Sequence, residues 1–209
     1  FKFSILSGYR REDPTFGIER YREGTHHTWT DDELRQFEAR WPLGTRQRTA
    51  YALALYTGQR RSDLVGMTWR DINSRDGTIR VVQDKTRAEL DIPIHRDLRA
   101  ALAEWPQKHI SILATPDGRG KSVAGFGNFM ADAIGEAGLP NRCVLHGLRK
   151  AAARCLAESG CTTLQIMAIT GHRSLEEVER YTRAAGQRQM AIDAIRKLER
   201  VSTRPKKVD

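Results

Sequence analysis

Thr78-Ile79-Arg80-Val81-Val82 sits between a turn signal at Asp76-Gly77 and a second apolar run, Leu90-Asp91-Ile92-Pro93-Ile94. Side chains two apart share one face of a strand, so the alternation in the first run predicts a strand from Thr78 to Val82. A turn around Lys85 joins it to Leu90–Ile94, and Trp69–Ile72 before Asp76-Gly77 is the expected third strand. The expectation is one small antiparallel sheet.

Outside this stretch the periodicity is helical. Thr30 followed by Glu33 is a capping box, in which each side chain satisfies an amide left open at a helix start. A helix is therefore expected to about Arg40, ended by Trp41-Pro42. From Arg46 to Tyr56, Ala50, Ala52, Leu53, Ala54 and Leu55 make the pattern apolar on nearly every face, which predicts a buried helix. Further helices are expected at about 95–104, 123–137, 147–159, 163–170, 175–184 and 187–200. Thr162 with Gln165 and Ser174 with Glu177 are two more capping boxes, and Gly160 and Gly171 stand where helices end. The fold class is mainly α with one small antiparallel sheet.

Residues 1–28 mix Arg, Glu, Gly and Pro without a sustained period, and Asp13-Pro14 breaks any helix there. They are read as a linker arm without recognisable chemistry, leaving 29–209 as the main domain. There is no internal repeat or low-complexity tract, and the basic tail from Arg200 to Asp209 is expected to fray. The start, Phe1-Lys2-Phe3, resembles neither an initiator nor a signal peptide, so the chain is expected to be cut from a longer one. No apolar run approaches the roughly 20 residues needed to span a bilayer, so no membrane partner is expected.

The 209 residues carry a formal charge of +9, and 27 of the 35 basic side chains are arginine. Clustered cations gain affinity by displacing counterions from nucleic-acid phosphates, and guanidinium grips a phosphate through two hydrogen bonds. Nucleic acid is the leading partner, against the plainer reading of a solubilising surface. Cys143, Cys155 and Cys161 form no CxxC pair and are odd in number, so free thiols in a reducing compartment are expected.

Four segments stand out: Thr57-Gly58-Gln59-Arg60-Arg61-Ser62-Asp63-Leu64, the turn holding Lys85, His146-Gly147-Leu148-Arg149, and Gly171-His172 with Tyr181 nine residues further on. Attack on a phosphodiester loads charge onto its non-bridging oxygens, and fixed cations such as Arg60 and Arg149 would stabilise that charge. A phenol, with an ordinary pKa near 10, leaves more readily than an alkyl alcohol, which suits Tyr181 to reversible bond exchange. In order and type the four segments resemble the tyrosine recombinases, or phage-type integrases, over about Thr30 to Ala185.

The resemblance implies the fold of that family's catalytic domain and a role for each matching residue. Tyr181 would attack the phosphate to give a 3′-phosphotyrosyl link. Lys85 would protonate the departing 5′-oxygen, and His146 would assist proton transfer with Tyr181. His172 would hydrogen-bond the phosphate, and Asp63 would orient the cations. Arg61, Arg70, Arg87, Arg142, Lys150 and Arg173 flank these positions and are candidates for neighbouring phosphates.

The resemblance also implies an N-terminal DNA-binding domain joined through residues 1–28, and a homotetramer on two DNA sites that passes through a Holliday junction. It implies action at the bacterial nucleoid in the cytoplasm, with room for an accessory DNA-bending protein. No cofactor is needed, because the phosphotyrosine conserves the bond energy. Residues 186–209, with Met190, Ile192, Ala194, Ile195 and Leu198, would form a helix and tail that dock on a neighbouring subunit or pack on their own domain.

Each residue also has a plainer reading. Tyr181 shares a helical face with Leu175 and Val178, as a core tyrosine would. Arg60 with Asp63 fits a surface pair, His146 a cap, Arg149 a snorkelling side chain, and Lys85 a turn lysine. One shared site accounts for all of them in order, whereas the plain readings need five coincidences. A type IB topoisomerase and a DNA-binding architectural protein without cleavage are the rival functions. Gly118-Arg119-Gly120-Lys121-Ser122 fails as a phosphate-binding loop, because Thr115 stands where the first glycine is required, and Ser122 is better read as a helix cap. His26-His27, without a third ligand at the right spacing, implies no metal.

Overall fold

The computed structural model describes residues 1–16, 26–115, 117, 118, 120 and 122–202. Residues 17–25 of the arm, Arg119 and Lys121 of the Gly118–Ser122 segment, and 203–209 of the tail therefore lie outside the described residues. The arm opens on a short helix, α1 (Lys2–Leu6), which the sequence reading did not foresee. Phe3 and Leu6 on it are exposed.

Helix α2 (Asp31–Arg40) starts at the expected capping box. The Thr30 amide donates to Glu33 Oε2 at 2.8 Å, and the Glu33 amide donates to Thr30 Oγ1 at 3.3 Å. Helix α3 (Arg46–Thr57) is buried along most of its length, as its apolar pattern requires. Its Tyr51 stacks on Phe37 of α2 at 4.9 Å between ring centroids.

A helix missed in the sequence, α4 (Arg61–Gly66), follows at once. Its start is fixed by Asp63, whose Oδ2 accepts from the Arg60 amide at 3.2 Å. Six residues are too few to display a helical period, but Leu64 still plugs into the core.

The sheet has the expected order and sense: β1 (Ile72–Asn73), β2 (Thr78–Val82) and β3 (Glu89–Pro93), both pairs antiparallel. Ile79 faces Ile72 on one side and Ile92 on the other, which fixes the register with Ile79 and Val81 inward. The expected strand Trp69–Ile72 is mostly a 3-10 turn, Trp69–Asp71. Asp71 Oδ2 accepts from the Thr68 amide and hydroxyl, both at 2.7 Å, and winds the chain before pairing begins.

Helices α5 (Arg96–Ala103), α6 (Val123–Glu136), α7 (Leu145–Glu158) and α8 (Thr163–Thr170) follow. Ser122 caps α6, accepting from the Gly125 amide at 3.1 Å. The two last expected helices are one, α9 (Leu175–Ser202), continuous through Gly186. A single glycine lowers helix stability by about 1 kcal/mol and does not end a helix. α7 packs along α3 through Leu148, Ala151 and Ala152, all buried in the main core. A second cluster of Ala153, Ala157, Ile166 and Val178 joins α7, α8 and α9, with Tyr181 against it.

Candidate active site

Arg149 lies on the first turns of α7 and is only 3% exposed, so it does not snorkel. Its Nη1 donates to the Gly58 carbonyl and, at 2.8 Å, to the Thr170 carbonyl. These carbonyls stand at the C-terminal ends of α3 and α8, where aligned peptide dipoles favour a cation. Nη2 is also buried and has no hydrogen-bond partner among the described residues. Burial and then the nearby Arg60 bring Arg149 down to about 10, so it stays charged at neutral pH.

Two glycines hold these carbonyls in place. Gly58 has φ +62°, and a Cβ there would lie 2.9 Å from Thr170 Cγ2. Gly171 has φ +67°, and a Cβ there would lie 2.4 Å from Gln83 Nε2. Only glycine fits both the left-handed backbone and the space.

Gln83 joins the arginines to the sheet. It is fully buried just past β2. Its Oε1 accepts from Arg60 Nη1 at 3.1 Å and from the Thr86 hydroxyl at 2.6 Å. Its Nε2 donates to Gln59 Oε1 at 2.6 Å and to the Thr170 carbonyl at 2.9 Å. Gln59 donates in turn to the carbonyls of Thr57 and Ile169. The sequence reading missed Gln59, Gln83 and Thr170. Gln83 did leave a signal, since period two places it on the inward face with Ile79 and Val81, where a polar side chain needs partners.

Asp63 supports both sides of this network. It is buried, caps the Arg60 amide, and accepts from the Asp84 amide at 2.9 Å. It therefore ties the start of α4 to the turn that carries Lys85. Arg173 fastens the same turn from the α8–α9 connection by donating to the Thr86 carbonyl. Arg87, in the same turn, has φ +56°. Lys85 itself is exposed at the tip.

His172 follows Gly171, and its Nδ1 lies 2.6 Å from Thr170 Oγ1. That hydroxyl donates to the Ile166 carbonyl at 2.7 Å, so towards His172 it accepts, and Nδ1 carries the proton. Burial first, then Arg149, Arg60 and His146, hold His172 down at about 3, so the ring is neutral. His146 is exposed on the cleft side. Burial of the rest of its ring, His26 and then Arg149 keep it below the ordinary histidine value. Tyr181 is half-buried on α9. Burial raises its phenol, and the charge of Arg149 pulls it back.

Arg60, His146 and Arg149 line one cleft of about 590 Å³, shared with Arg61 and His26. Of the flanking basic residues, Arg61 is in this cleft. Arg142 and Lys150 border an adjoining depression, and Arg70 lines neither. Arg142 is paired with Glu33 at 3.1 Å, and Lys150 donates to the His26 carbonyl at 2.5 Å. The arm was expected to carry no chemistry, yet the structure places His26 in the cleft.

Two groups of side chains have metal-ligand composition: His27, Glu33 and Cys143, and Asp31, Cys155 and Glu158. Both already have internal partners. Glu33 accepts from Thr30, His27 and Arg142, while burial and then the Glu33 hydrogen bond push the Cys143 thiol up to about 12. Arg154 bridges Asp31 and Glu158, each at 2.6 Å. Both groups are therefore read as hydrogen-bonded networks.

The helical body with its three-stranded sheet, and the arginine cluster beside a tyrosine-bearing helix, define an integrase-type catalytic domain. The chain belongs to the phage integrase family of tyrosine recombinases, whose pattern matches residues 31–188. Tyrosine recombinase XerC of Haemophilus influenzae is 25% identical over 194 residues, covering 86% of this chain and 65% of that protein. The type 1 fimbriae regulatory protein FimE of Escherichia coli is 28% identical over 148 residues, 66% of this chain and 75% of that one. A lambda integrase dimer bound to a COC′ core site has the same fold, with a TM-score of 0.72 at 24% identity over 87% of this chain and 68% of that one. XerA recombinase aligns with a TM-score of 0.65 at 18% identity, covering 87% and 66%. The chain spans less than two thirds of the XerC relatives' own length.

Proposed function

We propose that this domain recombines double-stranded DNA at specific sites by breaking and rejoining strands through Tyr181. The observation that carries the reading is Arg149: a buried guanidinium beside Arg60, with one nitrogen lacking any partner among the described residues. A buried donor left unsatisfied costs roughly 1–3 kcal/mol, and a phosphate oxygen would satisfy it. Two adjacent guanidinium groups also call for an anion that concentrates charge between them.

In the proposed step, Tyr181 Oη forms a bond to phosphorus and the bond from phosphorus to the 5′-oxygen breaks. The phenol proton passes toward His146, and the 5′-oxygen takes a proton from Lys85. Arg60 and Arg149 stabilise the charge on the non-bridging oxygens. His172 Nε2, bare in the neutral ring, donates to the phosphate once DNA draws a proton onto it. Rejoining is the reverse, so no cofactor is required.

The wider reading extends to the parts this chain does not contain. A DNA-binding domain precedes residues 1–28, and the protein acts as a homotetramer on two sites in the bacterial cytoplasm, at the nucleoid. The lambda integrase structures, one a dimer on a core site and one a tetramer on a Holliday junction, support this reading. The exposed Ile192 and Ile195 of α9 favour docking of segment 186–209 on a neighbouring subunit. An accessory DNA-bending protein fits the same scheme.

The test is to incubate the full-length protein and Tyr181→Phe with a randomised library of nicked duplexes, then denature and sequence protein-linked DNA. Adducts formed only by the wild type and sharing a motif support recombination at a defined site. Adducts without a motif point to topoisomerase-like relaxation. Binding without any adduct points to an architectural role.

A further inference from the structure

The arm reaches the cleft by a tightly specified route. Trp29 is fully buried and its Nε1 donates to the Val144 carbonyl at 3.0 Å. The segment lies directly on the first turn of α7: a Cβ at Gly147 would stand 2.5 Å from the His27 carbonyl oxygen and 2.6 Å from the Trp29 ring. No side chain other than hydrogen fits there while the arm is seated. Lys150, one turn further along α7, fastens the arm by donating to the His26 carbonyl at 2.5 Å.

Successive side chains of the segment then point to different places. His27 turns inward to Glu33 at 2.7 Å. His26 stands exposed, with its ring centroid 4.9 Å from that of His146 and tilted by 55°. It lines the same cleft as Arg60 and Arg149. The titratable and charged groups around it are His146, Arg149 and Lys150 from α7, Arg60 and Arg61 from the start of α4, and Cys143 and Arg142 from the loop before α7. Apart from the thiol of Cys143 and the two imidazoles, these groups are cations. The neighbouring carboxylate, Glu33, is already bonded to His27 and Arg142.

We propose that His26 is a phosphate-binding and positioning residue of the cleft, supplied by the arm: it contacts a DNA backbone phosphate and sets the ring of His146 against the scissile one. The proposal rests on the recombinase reading for the identity of the phosphate. Imidazole is the side chain whose charge changes near neutral pH, and a bound polyanion favours its protonated form, so the contribution to phosphate binding is expected to be strongest at mildly acidic pH. The arm and catalysis are thereby linked, because a chain whose arm is unseated loses this side chain from the site.

The experiment compares wild type, His26→Gln and His26→Lys of the full-length protein in two measurements. The first is adduct formation on a nicked duplex recovered from the library, from pH 5.5 to 8.5. His26→Gln should be slower by about 10-fold at the acid end, the worth of one hydrogen bond to a charged group, and should approach wild type at the alkaline end. His26→Lys should restore the rate and flatten the dependence on pH. A deficit in His26→Gln that is constant across pH, or no deficit, would overturn the proposal.

The second measurement needs no DNA: NMR titration of the His146 imidazole. Loss of the neighbouring imidazole should raise its midpoint in His26→Gln, and an unmoved midpoint would overturn the pairing. If the wild type forms no adduct with any duplex, the catalytic reading fails by itself. His26 is then judged by affinity for the unselected nicked duplex against pH, where a loss confined to acid pH in His26→Gln supports phosphate binding and equal affinity refutes it.

Discussion

The candidate site has two regions built on opposite principles. The cradle of Arg149, Gln83, Thr170 and the two glycines is buried, and nearly every polar atom in it is held by a partner. The groups proposed to react, Lys85 on an exposed turn and Tyr181 half-buried on α9, stand at its edge. Groups that stabilise developing charge work best when their orientation is fixed before substrate arrives. In the proposed step the groups that attack or donate a proton meet atoms on a DNA molecule outside the fold, which suits their place at the edge of the cradle.

This division predicts that edge substitutions remove chemistry and spare the fold, whereas cradle substitutions damage both. Tyr181→Phe should abolish the covalent adduct while changing stability by no more than about 0.5 kcal/mol, read by thermal melting. Lys85→Ala should slow cleavage by about 10²–10⁴-fold, the usual worth of a positioned general acid, again with an unchanged melting midpoint. Loss of stability in either variant would break the comparison.

In the cradle, Arg149→Ala should reduce cleavage by about 10²–10³-fold. It should also shift the melting midpoint, because the Gly58 and Thr170 carbonyls lose their donor. A sharper contrast comes from two glycines with similar positive φ. Gly171→Ala pushes on Gln83, while a Cβ at Gly160 meets nothing within 4 Å. Both should lose about 1–2 kcal/mol from backbone strain, but only Gly171→Ala should also slow cleavage.

A test that leaves the catalytic rate aside is the pH dependence of stability through His172. Its pKa is about 3 in the folded protein, below the ordinary value near 6.5 of the unfolded chain. Between these values the unfolded chain binds more protons, so the stability His172 allows is complete above about pH 6.5 and falls as the pH drops toward 3. The slope approaches about 1.4 kcal/mol per pH unit for one proton. Denaturant melts from pH 4 to 7 should show it, and His172→Gln should flatten it. Addition of target DNA should raise the His172 midpoint, read by NMR.

Much of the fold was legible because its signals are local. Capping at Thr30, Ser122 and Thr162, and the alternating strand Thr78–Val82, each depend on residues within a few positions. The misreadings came where local signals were short or overruled. Helix α4 is too brief to show a period, Trp69–Asp71 winds under the Asp71 cap, and α9 continues through Gly186.

By itself the sequence determined the class of the protein and singled out the residues proposed to react, because chemistry fixes residue type and chain order preserves the pattern. Only the tertiary structure decided what surrounds them. It showed that Arg149 is buried with an open donor, that Gln83 and Thr170 tie helices distant in sequence to the sheet, and that His26 belongs to the cleft. Those facts depend on contacts across more than 80 residues of chain, such as Arg149 to Gly58 and Gln83 to Thr170. No periodicity in a linear sequence encodes such a pairing, because burial and charge are properties of the packed neighbours and not of the residue alone.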